Sequence, residues 1–450
     1  MAHDCAACER AGGSSLTGPC PENDPPPHRR ESNTPMHATN QRTQVAIVGA
    51  GPAGLMLSHL LALSGIDSVV IDLRERADIE ATIRAGILEQ GTVDLMVGTG
   101  VGDRILAQGT RHDGIELRTR GESRRIDLPG LSGRSVYLYP QHEVLKDLIA
   151  ARLEQGGDLR LGVSEVSVHD VTTDTPAVHF TDADGARVEL SCAVVAGCDG
   201  TRGLTRSLIP RPPRVEHSRT YPYGWFGILT EAPPSSEELV YADSEHGFAL
   251  ISSRSPTVQR MYFQCEPGED AGAWSEERIW SELRARVNGD GFALKEGPII
   301  QRGVIPMRSH VCEPMSHGRL YLAGDAAHVV PPTGAKGLNL AVADVAVLAQ
   351  ALERHFHQAA SDLLDSYGLT ALRRVWRAQH FSWWMTSMLH TEVGKDLFED
   401  RRRRAELDLV TGSEAGRTLL AENYTGAPIT LTNPESVFAE ALEATARHTL

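Results

Sequence analysis

Between residues 44 and 73 the sequence carries a pattern that few folds can accommodate. Val45-Ala46-Ile47-Val48 is followed by Gly49-Ala50-Gly51-Pro52-Ala53-Gly54, then by Leu55 to Leu63, then by Ser68-Val69-Val70-Ile71 closing on Asp72. Short runs that are apolar at every position suit strands buried on both faces of a parallel sheet. Parallel neighbours need a crossover between them, and the segment from Leu55, ending at Gly65, has the length of a helix. In the G-x-G-x-x-G spacing each glycine has its own role. Gly49 permits the tight turn, Gly51 lets backbone approach a pyrophosphate, and Gly54 lets helix and strand pack closely. The helix N-terminus offers unpaired N–H groups and a positive dipole end to phosphates. Asp72, about twenty residues on, ends the second strand where a carboxylate can bond ribose hydroxyls. A dinucleotide site is therefore expected, and this unit alone does not separate NAD from FAD.

The remaining chain fills out a protein of two or three domains, since 450 residues exceed one small core. Residues 1–40 include the Pro-rich polar run PENDPPPHRRESNTP and are expected to be disordered, with order beginning at Gln44 and Met36 an alternative first residue. Cys5-x-x-Cys8, with Cys20, His3 and His28 nearby, matches no familiar zinc spacing, so no metal is expected. Seven cysteines without a secretory signal read as free thiols in a reducing, cytoplasmic setting. Forty-four Lys plus Arg against fifty-nine Asp plus Glu, a net charge of −15, argues against nucleic acid. No apolar stretch is long enough to span a membrane. Arg401 to Arg404 lie between acidic residues in a helical stretch and are expected to pair along a solvated face. Residues 215–265 read as a separate β-rich layer and residues from Leu338 to about Val410 as helical.

Two later segments decide between the cofactors by resemblance. Gly197-Cys198-Asp199-Gly200 and Leu322-Ala323-Gly324-Asp325-Ala326-Ala327-His328 resemble the Asp-Gly and Gly-Asp motifs of the class A flavoprotein aromatic hydroxylases. Pro331 to Asn339 resembles the loop and helix start that lie beside their isoalloxazine ring. Ile83 to Gly91, Phe381 to Ser387 and Gly412 to Gly416 look like the members that hydroxylate 4-hydroxybenzoate, and the resemblance runs from about Thr43 to about Pro428. It implies an α/β fold: a three-layer, Rossmann-like FAD-binding domain (41–115, 138–215 and 306–345), an inserted β-rich substrate domain (116–137 and 216–305), and a helical C-terminal region (346–450).

The same resemblance implies an enzyme that uses FAD, NADPH or NADH, and O₂ to convert 4-hydroxybenzoate into 3,4-dihydroxybenzoate through a C4a-hydroperoxyflavin. It assigns Tyr241 to the substrate phenol, Ser252, Arg254 and Tyr262 to its carboxylate, and a carbonyl at Pro332, with Thr333, to its hydroxyl side. Arg254 makes chemical sense on its own, because a guanidinium can grip a benzoate through two parallel charge-assisted bonds. Tyr241, Tyr424 and His112 are implied as a proton relay to solvent. Gly49, Gly51, Gly54, Asp72, Arg84, Gln141, Asp199, Arg260, Asp325, Gly337, Leu338 and Asn339 are implied as FAD contacts, with Arg206 and Lys336 shaping the flavin and nicotinamide approach.

The chain also departs from that pattern. Leu73, Thr82 and Arg202 stand where Arg, Arg and His are expected, which leaves the choice of NADPH over NADH open, with Arg74 and Arg76 as substitute cations. A homodimer is implied by the resemblance alone. Two alternatives remain at this stage: the same chemistry on another para-substituted benzoate such as 4-aminobenzoate, and a flavin-binding sensor without turnover.

Overall fold

The computed structural model describes residues 39–447, apart from 83, 85, 120–121, 290 and 392–395. Residues 1–38 of the expected extension, the Cys5–Cys8 segment, and Ile83 and Ala85 of the Ile83–Gly91 motif lie outside the described residues. Described order starts earlier than Gln44: Thr39–Arg42 is a strand paired in parallel with Arg187–Ser191. Its sequence, TNQR, is polar because its side chains are mostly exposed and only its backbone is used, so no apolar pattern announces it.

The glycine unit folds as its spacing requires. Strands Val45–Val48 and Ser68–Asp72 pair in parallel, from Val45 opposite Ser68 to Val48 opposite Ile71, with helix Pro52–Leu63 between them in sequence. Val194–Gly197 and Leu320–Leu322 extend the sheet in parallel on one side, and Asp158–Leu161 on the other. Ser316–His317 adds a short antiparallel edge. The first two strands and Val194–Gly197 are buried at every residue, which is why they read as continuous apolar runs. Helices Pro52–Leu63, Gln141–Glu154 and Gly337–Gln358 share one apolar core with this sheet and with the four-stranded sheet that contains Thr39–Arg42. This is the three-layer arrangement expected for the cofactor domain.

The β-rich layer is an eight-stranded sheet. It takes Gly114–Thr119 and Glu122–Asp127 from early in the chain and Val215–Thr230, Leu239–Ser244, Gly247–Ser255, Val258–Cys265 and Ile299–Glu313 from later. His328–Val329 completes it, so the sheet runs past the boundary expected at residue 305 and reaches the loop after the Gly-Asp motif. One face packs Phe226, Ile228, Val240, Ile251 and Phe263 against helix Glu276–Val287. The other face carries Trp225, Tyr241, Phe248, Leu250 and Tyr262 towards Phe381, Met385 and Tyr424 of the C-terminal helices.

Those helices are Asp362–Leu389, Leu397–Gly412, Glu414–Thr425 and Ala439–Arg447. In the arginine run, Arg402 pairs with Glu399 and Glu406 and Arg404 with Asp400, as a solvated helical face would. Arg403 does not belong to that face. It is buried and donates to Asp243 at 2.7 Å and to the Met388 carbonyl at 2.9 Å, tying this helix to the β-sheet.

Candidate active site

Strand register gathers the expected substrate residues on one sheet face. Side chains alternate along a strand, so Leu250 and Ser252 point the same way, and past the register shift at Ser253–Ser255 Arg254 lies beside Tyr262 and Arg260. Tyr241 and Tyr262 both lie opposite Leu250 on the neighbouring strands, and Arg260 lies opposite Ser252. Gly227 sits beneath Tyr262, where a Cβ would meet the ring at 2.8 Å, so glycine makes room for the aromatic side chain. Ser252 Oγ donates to the Arg260 carbonyl at 3.0 Å, and Arg260 Nε donates to the Tyr262 hydroxyl at 3.1 Å.

Arg254 carries unsatisfied atoms on this face. The residue keeps some exposed surface, but its Nε and Nη1 atoms are out of solvent contact and have no hydrogen-bond partner. Burial holds its guanidinium below the usual arginine range, the Tyr262 hydroxyl opposes that shift, and Arg260 adds to it. A buried cation with idle N–H groups is costly unless an anion completes it.

Tyr241 and Tyr424, far apart in sequence, meet at 2.9 Å between hydroxyls, and the Tyr241 hydroxyl also lies 3.3 Å from the Thr333 carbonyl, to which it can donate. Burial pushes both phenols above their usual range, with the Tyr424 bond working against the shift at Tyr241. The third member of the expected relay is not joined to them. His112 is buried on the three-stranded sheet, neither ring nitrogen has a hydrogen-bond partner, and burial holds it below the usual histidine range. The Pro332 carbonyl accepts from Ala335 N at 3.0 Å, which leaves one of its lone pairs for another donor.

The expected cofactor residues divide into two groups. At Gly49 the backbone has φ +112° and a Cβ would lie 2.3 Å from the Cys198 carbonyl, while at Gly54 a Cβ would lie 1.9 Å from the Gly49 carbonyl. At Gly51 and Gly337 a Cβ would meet nothing within 4 Å, and neither helix start has a side-chain cap. Two uncapped helix N-termini thus open onto free space, which fits a group carrying a pyrophosphate at one and a ring at the other. Asp199 fixes its own loop through Thr205 N and Oγ1 at 2.9 and 2.6 Å, and Arg206 bridges that loop to the Gly-Asp turn through the Thr201 and Ala326 carbonyls. Burial raises the Asp325 carboxyl, opposed by His328, Arg84 and Arg308. Arg84 is exposed, and Gln141 and Leu338 are partly buried beside their helix starts.

Three expected contacts are committed elsewhere. Asp72 accepts from Ala50 N at 2.7 Å and from Arg74 N, Nε and Nη2 at 2.8, 3.0 and 2.8 Å, and although burial pushes its carboxyl up, Arg74 holds it below the usual range. Asn339 accepts from Glu89 N and Thr92 Oγ1 and donates to the Ile87 and Ala335 carbonyls, which uses its whole amide to fasten the Gly337 helix. Lys336 is buried and donates to Glu89 at 2.6 Å and to the Tyr424 carbonyl at 2.9 Å. Sequence reasoning missed Thr386, hydrogen-bonded to Thr333 at 2.8 Å, and His390, which accepts from Trp225 Nε1 at 2.7 Å. No spacing signal connects such distant positions.

The family described as an FAD binding domain matches residues 42–382. The chain belongs to that FAD-binding family. This flavoprotein is 43% identical over 389 residues to a p-hydroxybenzoate hydroxylase of Acinetobacter baylyi, covering 86% of this chain and 96% of that protein. It is 27% identical to a 3-(3-hydroxy-phenyl)propionate/3-hydroxycinnamic acid hydroxylase of Paraburkholderia xenovorans, covering 83% of this chain and 59% of that one. Its fold matches the crystal structure of p-nitrophenol 4-monooxygenase from Pseudomonas putida with a TM-score of 0.71 at 18% identity, covering 86% and 99% of the two chains. The expected FAD-dependent hydroxylase class and fold are borne out. Among the described residues no helix is long and apolar enough to cross a membrane.

Proposed function

We propose that this flavoprotein hydroxylates 4-hydroxybenzoate at C3 with NAD(P)H and O₂, releasing 3,4-dihydroxybenzoate. The observation that carries the reading is Arg254: a buried guanidinium with idle N–H groups on the same sheet face as a phenol pair. A carboxylate on the ligand satisfies the first through two charge-assisted bonds, and a phenol on the ligand extends the second. The 43% identity to a p-hydroxybenzoate hydroxylase over most of both chains supports the same substrate.

Bound FAD supplies the activation of O₂. The chain supplies the rest. Ser252, Arg254 and Tyr262 hold the carboxylate end, which fixes the ring and presents its hydroxyl to Tyr241. Tyr241 accepts the substrate proton as it releases its own hydroxyl proton to Tyr424, which must in turn release one onward, making the ring phenolate-like and electron-rich at C3. His112 completes the path only through intervening water or a small movement, because no direct bond joins it to Tyr424. Pro332 and Thr333 close the hydroxyl side, and Thr386 braces Thr333. Gly51 and the Pro52 helix would hold the pyrophosphate, and the Gly337 helix start, with Leu338, would hold the ring end, where the helix dipole would favour negative charge.

Arg74 is already neutralised by Asp72, so we read NADH and NADPH as alternative donors. We read the protein as a cytoplasmic homodimer, supported by the reduced coenzyme it needs and by Leu369, Trp376 and Trp383, exposed at seven-residue intervals on the Asp362 helix. The test is a titration of the FAD-loaded protein, followed through flavin absorbance, with 4-hydroxybenzoate, its methyl ester and 4-aminobenzoate. The acid is expected to perturb the spectrum and the ester to fail. Equal binding of the ester would remove Arg254 as the carboxylate grip, and a preference for 4-aminobenzoate would reassign the substrate.

A further inference from the structure

The Gly-Asp motif sits over a buried charge arrangement that the proposed chemistry does not use. Gly324 has φ +63° and lies where two helices meet: a Cβ there would be 3.3 Å from Ala53 of the Pro52 helix and 3.2 Å from Ala341 of the Gly337 helix. From below, one oxygen of Asp344 accepts two bonds, from Gly324 N at 2.9 Å and from His328 Nε2 at 2.6 Å. Both side chains are 1% exposed. The other oxygen, Oδ1, is buried without a hydrogen-bond partner, so this carboxylate was not placed to be well solvated. A buried carboxylate with one oxygen left without a partner is expensive, and its retention needs a local use.

We propose that Asp344 and His328 are positioning residues for cofactor retention: Asp344 locks the Gly324–Asp325 turn, and with it the Asp325 carboxylate, at the junction of the two helix N-termini. The inference rests on the reading of Asp325 as a cofactor contact. Its geometry is the Asp344 carboxylate bonded at once to the turn's backbone and to His328. Asp325 lies within the electrostatic reach of His328, Arg84 and Arg308. The imidazolium form of His328 is therefore paired directly with Asp344 and acts on Asp325 through its field. It favours an ionised Asp325, which accepts hydrogen bonds from hydroxyl groups, over the neutral acid that burial favours. A turn held at Gly324 from the Gly337 helix cannot drift relative to either helix end, so the hydroxyl-binding carboxylate keeps its distance from both the pyrophosphate and ring positions.

The arrangement has a pH consequence. The groups facing His328 are Asp344 on the Gly337 helix, Asp325 on its own turn, and His310 on the neighbouring strand, which itself lies near Arg206, Arg308 and Glu216. Burial lowers the His328 pKa and the two carboxylates more than offset this, so it stands above the usual histidine value. The charged His328–Asp344 pair is complete at lower pH and is lost as pH rises through that raised value.

The experiment measures the FAD dissociation constant and release rate by flavin fluorescence for the wild-type protein, Asp344→Asn, His328→Gln and the double variant, between pH 6 and pH 9. Asp344→Asn keeps the shape and an acceptor for Gly324 N but loses the charge. The milder His328→Gln keeps the test alive should Asp344→Asn fail to fold. Each single variant is expected to weaken FAD binding about tenfold at pH 7, and the double variant is expected to be no weaker than the worse single. The wild-type constant is expected to rise on the alkaline side, and His328→Gln to abolish that rise. FAD binding within twofold of wild type, additive losses, or an alkaline rise that survives His328→Gln would overturn the proposal. Wild-type protein that binds no FAD would overturn the cofactor reading beneath it as well.

Discussion

Replacing Arg254 with Met should push ligand affinity and ligand-free stability in opposite directions. Met keeps the apolar stem and approximate length while removing the guanidinium, so packing against the sheet face is largely preserved. Within the protein Nε and Nη1 are buried without partners, and relieving such a group is worth about 1–3 kcal/mol. In the complex the same atoms make charge-assisted bonds to the ligand carboxylate, each worth about 1.5–3 kcal/mol. Losing two of them costs about 3 kcal/mol at the least, a ~150-fold weaker Kd. Thermal unfolding without ligand should therefore move up by a few degrees, while titration with 4-hydroxybenzoate should show affinity lost by two orders of magnitude or more. FAD affinity should hold, since Arg254 lies on the substrate sheet. An Arg254→Met variant that binds 4-hydroxybenzoate like wild type, or whose ligand-free form unfolds well below it, would refute the idea of an unpaired cation waiting for a carboxylate.

Other outcomes follow from the same geometry. Tyr241→Phe should bind FAD and substrate normally and lose roughly 100- to 10,000-fold in product formation, the usual range for a positioned acid–base group; undiminished hydroxylation would take Tyr241 out of the mechanism. Gly54→Ala places a Cβ 1.9 Å from the Gly49 carbonyl and should fail to fold or unfold at a much lower temperature. Gly51→Ala meets only open space and should leave the FAD-free protein as stable as wild type while weakening FAD binding, a contrast read by calorimetry and flavin fluorescence. Burial pushes His390 down to about 3 from the usual 6.5, so the unfolded chain takes up the proton first as pH falls below about 6.5. That destabilises the folded state by about 1.4 kcal/mol per pH unit, about 2 kcal/mol by pH 5. His390→Gln should remove that part of the slope in urea titrations at pH 7 and pH 5, and an unchanged slope would assign acid sensitivity elsewhere.

What the sequence disclosed depended on how local the cause was. Val45–Val48, Pro52–Leu63 and Ser68–Asp72 were legible because burial on both faces, a glycine turn and a crossover are all encoded within thirty residues. Thr39–Arg42 was hidden because a polar edge strand contributes only backbone. The Tyr241–Tyr424 contact joins residues 183 positions apart, and only the family resemblance could bring them together. The resemblance also assigned Asn339 and Asp72 to the cofactor, whereas the structure shows their side chains already engaged within the protein. Arg403 looked like one of four equivalent surface cations until its partner, Asp243, was supplied by a strand 160 residues earlier. Pairings of that kind follow from packing between layers, and the periodicity of one segment cannot contain them.

The most direct measurement is oxidation of NADH and of NADPH by the purified, FAD-loaded protein in air, with and without 4-hydroxybenzoate, with products separated by chromatography. The expected result is strong stimulation by 4-hydroxybenzoate, one 3,4-dihydroxybenzoate formed for each coenzyme oxidised, and rates with the two coenzymes within about tenfold, given Leu73 and the Arg74–Asp72 pair. Stimulation that yields only hydrogen peroxide, or no stimulation with either coenzyme, would contradict the assignment of 4-hydroxybenzoate as the substrate.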